Sequence, residues 1–164
     1  MILILINKLV QLNVIKVLIV RVIQVLVICI LRNGVKKIVI NVSHLAVKLE
    51  EHIIRQRDSR LVLSMEEELL ETGGGVKKAL PSLGKEAFYV INGDSVWVDG
   101  MKSPLLRLAE SWDANRMDVL LMLAPLSSIQ NFQGLGDFTM DQLGRLSRRS
   151  EKNVAPFSYM GISI

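Results

Sequence analysis

This chain of 164 residues contains little cysteine and has a low net charge, and both features exclude several classes of protein. The single cysteine, Cys29, excludes an internal disulfide and is typical of a reducing compartment, so we expect a cytoplasmic protein. The net charge of +4 is modest, and the basic residues are scattered or paired rather than gathered in a stripe. We therefore expect no nucleic-acid partner.

Long apolar runs are also missing, although the sequence is 50% hydrophobic and most of the excess lies in the first 32 residues. The longest unbroken run covers residues 25–31, whereas a membrane-spanning helix needs about 20 apolar residues. Polar residues that do not segregate to one face interrupt the rest: Lys8, Lys16, Arg21 and Gln24. No small-residue cleavage site follows, so we expect neither a membrane partner nor a signal peptide.

Glycine and proline are absent before Gly34, which excludes a glycine-rich loop from residues 1–33. Residues 17–31 are expected to form a helix, but most of them are β-branched and disfavour it. The apolar face of that helix would consist of Leu18, Val22, Ile23, Leu26 and Ile30. This conflict between sequence and expected fold marks residues 1–32 as a degenerate amino terminus and the segment most prone to aggregate.

Strand and helix patterns alternate through most of the chain. Strands are predicted at residues 37–42, 60–64, 87–91 and 117–123, and helices at 45–55 and 104–115. Such alternation favours a parallel α/β sheet with right-handed crossovers. From residue 132 the pattern changes to short hairpin strands at 136–140, 144–147 and 156–164, with a turn at 141–144. The length is that of one domain.

Three glycines follow Thr72 and open a short helix, with Gly34 expected to end an earlier one. Glycine has no Cβ, so Gly73–Gly75 can adopt positive φ and admit a flat ligand close to the backbone. The first N–H groups of the helix have no intrahelical acceptor and can donate to a base edge or a phosphate. The alternative is a flexible turn before a helix, which the glycines alone do not exclude.

A carboxylate stands just past the predicted strand at residues 87–91. Asn92-Gly93 ends that strand, so Asp94 lies where open α/β sheets bind ligands. One carboxylate there suits Mg²⁺, which takes few protein ligands besides substrate phosphates. The alternative is a turn aspartate that bonds its own backbone. Glu66-Glu67-Glu68 is most simply a solvated acidic loop.

Together these segments resemble a known family. The run ETGGG at 71–75 followed by NGDSVW at 92–97 is similar to the nucleotidyltransferases that make nucleotide-sugars. Within them it resembles the N-acetylmuramate α-1-phosphate uridylyltransferase and mannose-1-phosphate guanylyltransferase groups. The resemblance extends through residues 34–45, 136–149 and 155–162, and so covers residue 33 to the end with few gaps.

The resemblance implies a fold and a reaction. The fold would be a Rossmann-like, GT-A-like three-layer α/β/α sandwich with a mostly parallel sheet, incomplete at both ends. Residues 33–126 would form its nucleotide-binding part and residues 127–164 the start of its sugar-side part. The partners would be a nucleoside triphosphate and a sugar 1-phosphate, with Mg²⁺ as cofactor.

The resemblance also implies roles for individual residues. Asp94 would hold the metal, and Lys8 would be the remnant of a phosphate-contacting lysine. The base or ribose would contact Leu70, Thr72, Gly73, Gly74 and Asn92. The sugar side would include Trp97, Asp99 and Asp137, although a turn or edge role is the simpler expectation for Asp137.

One departure from the family pattern bears on activity. The family opens with a strand, a glycine-rich loop containing an arginine, and a lysine-proline pair. Here Lys8-Leu9-Val10 is all that corresponds, without the loop or the proline. We therefore expect weak or absent transfer, with a non-catalytic nucleotide-binding or interaction fragment as the alternative.

Overall fold

The computed structural model describes residues 1–6, 27, 30–31, 34–42, 46–68, 70–95, 97 and 100–164. Within these residues strands and helices alternate at first, and a run of strands follows. In chain order they are β1 Ile2–Ile6, β2 Ile38–Val42, α1 Ala46–Gln56, β3 Leu61–Met65, α2 Thr72–Leu83, β4 Tyr89–Asn92, α3 Pro104–Ser111, β5 Leu121–Pro125, a 3₁₀ turn at Leu126–Ser128, β6 Phe138–Met140, β7 Leu146–Arg148 and β8 Phe157–Ser163.

The first half of the sheet is parallel, in the order β3-β2-β1-β4. In its central strand, β1, Ile4 pairs with Ile40 on one side and with Ile91 on the other. The apolar sequence patterns predicted β2, β3 and β4 to within one or two residues but did not predict β1. A central parallel strand is buried on both faces and shows no apolar–polar alternation, so β1 merges with the apolar sequence that follows it.

The second half of the sheet is antiparallel, which corrects the expectation of a mostly parallel sheet. Strand β8 pairs antiparallel with β4 at Val90–Ser163 and Ile91–Ile162. Because β8 occupies the place beside β4, β5 pairs with β8 and not with the parallel strands. Strand β6 pairs with β8 and with β7, so every described pairing that involves β5–β8 is antiparallel.

Helices cover both faces of the parallel half. All five residues of β2 are buried, and they alternate between two apolar clusters. Ile38, Ile40 and Val42 belong to the larger cluster, which includes Ile53 of α1 with Leu105 and Leu108 of α3. Val39 belongs to the smaller cluster on the opposite face, with Ala79 and Leu83 of α2. Full burial of both faces explains why this strand is apolar without interruption except for Asn41.

Of the helix predicted at residues 17–31, the structure describes Val27, Ile30 and Leu31, all in helical conformation. Val27 and Ile30 are buried in the larger cluster, as expected for Ile30. Gly34 has φ +76° and donates its N–H to the Leu31 oxygen at 3.2 Å, which confirms it as a helix C-terminal glycine. Leu18, Val22, Ile23 and Leu26 lie outside the described residues.

Local polar contacts decide the outcome of two other predictions, a helix end and a turn. Helix α3 stops at Ser111, four residues before its predicted end, because Trp112 is extended and the Asn115 N–H donates to Asp113 Oδ1 at 3.0 Å. The predicted turn at 141–144 is confirmed: Asp141 Oδ1 accepts the N–H groups of Leu143 and Arg145.

No helix in the part of the chain described here has the length and apolar character to cross a membrane.

Candidate functional site

The parallel strands bring several polar residues to one edge of the sheet. Register aligns Asn41 of β2 with Leu5 of β1, and Leu5 with Asn92 of β4. With strands about 4.8 Å apart, Asn41 and Asn92 lie about 10 Å from each other across the carboxyl end of β1. The strand order reverses between β1 and β4, and open α/β sheets bind ligands in the crevice at such a point.

The glycine stretch lies at the same edge, but its conformation differs from the expected one. Thr72 and the three glycines form the first turn of α2, and positive φ occurs at five other glycines. Regular helical geometry leaves the Thr72, Gly73 and Gly74 N–H groups without intrahelical acceptors, while Gly75 donates to the Glu71 oxygen. Glu71 makes no side-chain cap, so within the described residues these donors stay available to a ligand.

The glycines in this turn serve two different purposes. A Cβ on Gly74 would stand 3.0 Å from Leu70 Cβ, so its absence lets the Leu70 side chain pack over the helix start. A Cβ on Gly73 would meet nothing within 4 Å among the described residues, which leave the space above it open. Gly73 therefore leaves room for a flat group to approach donors at the positive end of the helix dipole.

Asp94 lies in a tight turn directly after β4. The Ser95 N–H donates to the Asn92 oxygen at 3.0 Å, which closes a four-residue turn with Asp94 at its third position. Gly93 is buried in this turn, whereas Asp94 is exposed. The turn thus directs a solvent-accessible carboxylate from the strand end, as predicted, and Asn92 is half-buried beside it.

Strand β8 approaches this turn closely. Ser95 Oγ donates to the Met160 oxygen at 3.1 Å, and Gly161 has φ +73°. A Cβ on Gly161 would lie 2.0 Å from Ser95 Oγ and 3.2 Å from Asn92 Nδ2. Only glycine fits this position, because both the backbone conformation and the space exclude a side chain. The antiparallel half of the molecule therefore contacts the candidate site through backbone atoms.

Two of the predicted sugar-side residues are engaged in the fold. Trp97 is half-buried against the larger apolar cluster. Asp137 Oδ2 accepts the Ser158 hydroxyl and the Tyr159 N–H, both at 2.8 Å, and so ties the start of β8 to the segment before β6. This is the edge role that the sequence analysis favoured for Asp137. A sugar contact by either residue stays a prediction.

Two other predicted residues, Lys8 and Asp99, lie outside the described residues. Among the residues that the structure does describe, no group of three His, Cys, Asp or Glu side chains could hold a metal ion. The donor chemistry at Asp94 still fits Mg²⁺, because this ion is held by one or two carboxylates together with substrate phosphates. A metal at this position would depend on the substrate for most of its ligands.

A polar pair that was not predicted from the sequence lies beneath the α2 start. Glu66, expected in a solvated acidic loop, is only 5% exposed, while Glu67 and Glu68 are exposed as expected. Asn41, fully buried, donates from Nδ2 to Glu66 Oε1 at 2.8 Å. The available signal was Asn41 itself, since a polar residue in a wholly buried strand requires a hydrogen-bonding partner.

Sequence similarity links the chain to a known protein. No family model matches the chain. It is 36% identical over 137 residues to N-acetylmuramate alpha-1-phosphate uridylyltransferase from Caulobacter vibrioides. That match covers 80% of this chain and 56% of the other protein, so the chain spans little more than half the length of this curated relative.

Solved structures match the fold over almost the whole chain. HddC from Yersinia pseudotuberculosis, complexed with GMP-PN, superimposes with a TM-score of 0.71 at 19% identity, covering 99% of this chain and 74% of that one. The inositol-1-phosphate CTP transferase from T. maritima gives 0.68 at 15% identity, covering 99% and 68%. At these identities the likeness concerns the fold.

Proposed function

Because the chain is a relative of the sugar-1-phosphate nucleotidyltransferase family, we propose that it transfers a nucleoside monophosphate from a nucleoside triphosphate to a sugar 1-phosphate. The products would be a nucleotide-sugar and pyrophosphate. The observation that carries this proposal is the common sheet edge of the α2 turn and the Asn92–Ser95 turn, in a chain with that sequence relationship. The cellular site would be the cytoplasm.

We propose further that the chain adopts the fold of this family. Helices on both faces of the sheet are consistent with a Rossmann-like, GT-A-like three-layer α/β/α sandwich. Residues 33–126 would supply the nucleotide-binding part of one domain, and residues 127–164 the beginning of its sugar side. The antiparallel pairing of β5–β8 fits that division, because it begins where the alternating pattern of strands and helices ends.

In this proposal the nucleoside lies over the first turn of α2. The free N–H groups of Thr72, Gly73 and Gly74 would donate to the base or ribose, and Leu70 would pack against it. The open space above Gly73 supports this placement, because a side chain there would keep a flat base from the donors. Asn92 would add a side-chain contact from the neighbouring strand.

The phosphates would lie towards the end of β4. There a sugar 1-phosphate oxygen attacks the α-phosphorus, a new P–O bond forms, and the bond to the departing pyrophosphate breaks. When bound, Mg²⁺ neutralises charge on the phosphate oxygens. Asp94 would hold the ion, while Lys8 would contact phosphate and Trp97 and Asp99 would border the sugar. The residues contribute by positioning and by charge, without a covalent enzyme intermediate.

The base specificity would be for uridine or guanosine. The curated relative is named for uridylyl transfer, and one structural neighbour was solved with GMP-PN. Helix N–H groups donate to carbonyl oxygens, which uracil and guanine both present. A panel of triphosphates therefore starts with these two.

A second candidate is nucleotide binding without transfer. It is favoured by the sequence after β1, where residues 7–33 contain no glycine that could build a loop around the β- and γ-phosphates. A nucleoside monophosphate should then bind nearly as well as the triphosphate. Calorimetric titration of both ligands tests this, and a hundredfold preference for the triphosphate, about 2.7 kcal/mol, would contradict it. A glycine-arginine loop grafted ahead of Lys8 should selectively improve triphosphate binding.

Mass spectrometry of nucleotide-sugar products, from triphosphates paired with sugar 1-phosphates in the presence of Mg²⁺, tests transfer. Asp94→Ala should abolish any product and leave the unfolding transition unchanged, because this side chain is exposed beyond the end of β4. The matched control is Asp118→Ala, which removes another exposed carboxylate, just before β5. Equal turnover in wild type and Asp94→Ala would remove Asp94 from the site. Nucleotide binding without product from any pair would favour the second candidate.

A further inference from the structure

A buried carboxylate lies directly beneath the start of α2. We infer that Glu66 is a positioning residue for nucleotide binding: it fixes the chain before α2 so that the helix presents its free N–H groups to the nucleoside. This inference rests on the proposed function, since it concerns the same nucleotide. It adds a residue and a buried contact beyond those that the family resemblance implies.

Three hydrogen bonds define the arrangement. Glu66 Oε1 accepts Nδ2 of Asn41 at 2.8 Å, and Oε2 accepts the Leu70 N–H at 3.0 Å. The Glu66 N–H donates to the Val42 oxygen at 2.8 Å, which continues the pairing of β3 with β2. The side chain thus joins the second strand of the sheet to the residue that precedes Glu71, the N-cap of α2.

Burial of the Glu66 carboxylate costs free energy unless its oxygens accept hydrogen bonds. A carboxylate taken out of water must recover its hydration through hydrogen bonds, and removing one of its partners leaves an uncompensated buried group. Glu66 is 5% exposed, whereas the next two glutamates are exposed. A glutamate with only a surface role would have pointed outward like its neighbours.

The position of Leu70 decides the position of the donors. The Leu70 side chain packs against Gly74, where a Cβ would come within 3.0 Å of it. A shift of Leu70 therefore shifts the first turn of α2, which carries the Thr72, Gly73 and Gly74 N–H groups. Glu66 thus acts on the nucleotide through Leu70, without touching the ligand.

Exchange of the two buried side chains gives the sharpest test. Asn41→Asp places a second carboxylate against Glu66 Oε1 at a 2.8 Å contact, and like charges this close repel. The double variant Asn41→Asp/Glu66→Gln contains the same amide NH₂ and the same three oxygens as wild type. The introduced glutamine can donate to the introduced aspartate and still accept the Leu70 N–H, so the arrangement is rebuilt with the donor on the other side chain.

Two measurements on the full chain report the outcome. Calorimetric titration with UTP and GTP gives affinity, and amide hydrogen exchange without nucleotide gives the protection of the Leu70 N–H. Asn41→Asp should weaken binding of the preferred nucleotide by about tenfold or more and accelerate Leu70 exchange. The double variant should restore both. Glu67→Gln, which neutralises an exposed neighbour, should match wild type in both.

The rescue keeps the test decisive even if Asn41→Asp lowers stability, because the double variant must recover binding together with Leu70 protection. Wild-type affinity in Asn41→Asp would overturn the inference, as would a double variant that protects Leu70 but fails to bind. Failure of wild type to bind any nucleotide is a different result: it would overturn the proposed function, and the positioning role with it.

Discussion

The parallel half of the sheet and the antiparallel β6–β7 hairpin are stabilised by different interactions. Strand β2 is buried along its whole length, and Ile2, Ile4, Ile40 and Ile91 of the parallel strands are completely inaccessible. In β6 and β7, by contrast, two of every three residues are exposed. That region depends on polar side chains that bond the backbone, chiefly Asp137 and Arg149, the latter donating to four carbonyl oxygens.

This difference explains which polar side chains can bind a ligand. In the parallel half the apolar clusters stabilise the strands, so polar residues at the strand ends, such as Asp94, are available for a ligand. In the antiparallel half the predicted sugar-side carboxylate is already used by the fold, because Asp137 Oδ2 accepts two hydrogen bonds from β8. A carboxylate near a site is therefore a candidate ligand residue only when the fold does not require it.

Ile40→Ala should have the largest effect on stability. Ile40 is fully buried at the centre of the sheet, and its truncation removes apolar contacts and leaves a cavity. We expect a loss of about 2–5 kcal/mol in the free energy of unfolding, measured by urea denaturation. The matched change in the other half, Met140→Ala, removes a side chain that is 49% exposed and should cost far less. Equal losses in the free energy of unfolding would show that apolar burial stabilises the two halves to the same degree.

Gly161→Ala tests the contact between the halves and should rank second. The new Cβ requires a left-handed backbone for alanine and meets Ser95 Oγ and Asn92, so we expect a cost of about 2–3 kcal/mol. Gly144→Ala is the control, because Gly144 has φ +81° but no described residue beyond its chain neighbours lies within 4 Å of its Cβ position. The difference between the two variants isolates the steric part. If both variants lose the same free energy of unfolding, the contact between β8 and the Asn92–Ser95 turn is not tight enough to exclude a Cβ.

The sequence predicted those parts of the fold and site in which local pattern and tertiary role agree. Apolar runs with polar ends gave β2, β3 and β4, and the Asn92-Gly93 break correctly located the turn that exposes Asp94. Gly34 and the 141–144 turn follow from local backbone rules, which tertiary packing did not override.

Other features depended on contacts between residues distant in sequence. β1 is recognisable only by its neighbours in the sheet, and Glu66 looks like its two solvated neighbours until Asn41 is placed beneath it. The antiparallel pairing of β5 depends on β8, which begins more than thirty residues later. The glycines at 73–75 allowed both a loop and a helix, and their local sequence did not decide between them.

Asp137→Ala should come third, with an effect confined to the antiparallel half. Removal of the carboxylate leaves the hydroxyl of Ser158, a residue that is 9% exposed, and the Tyr159 N–H without their acceptor. We expect a loss of about 1–3 kcal/mol and faster amide exchange in β6 and β8. Exchange in β1 and β2 should stay as slow as in wild type. Uniformly faster exchange would show that Asp137 stabilises the whole sheet.

Asp58→Ala is the counterpart in the parallel half and should have the smallest effect. Asp58 precedes β3 and accepts from the Arg60 guanidinium at 2.7–3.2 Å, on an exposed surface. The Arg60 side-chain hydrogen bonds lower the pKa of Asp58 from 3.8 to about 2. Exposed ion pairs contribute little because water and salt screen them. The unfolding midpoint in urea at pH 7 should therefore stay close to that of wild type.

The pH dependence of this small effect has a definite sign. A carboxyl group whose pKa is lowered by folding stabilises the native state above its unfolded pKa of 3.8, and the contribution disappears as pH falls through about 2. The difference between wild type and Asp58→Ala should thus be constant from pH 8 to pH 5 and shrink below pH 4. Urea midpoints at pH 7, 5 and 3 measure it. If Asp58→Ala shifts the urea midpoint at pH 7 as much as Asp137→Ala does, the parallel half also depends on surface carboxylates. Its apolar clusters would then account for only part of its stability.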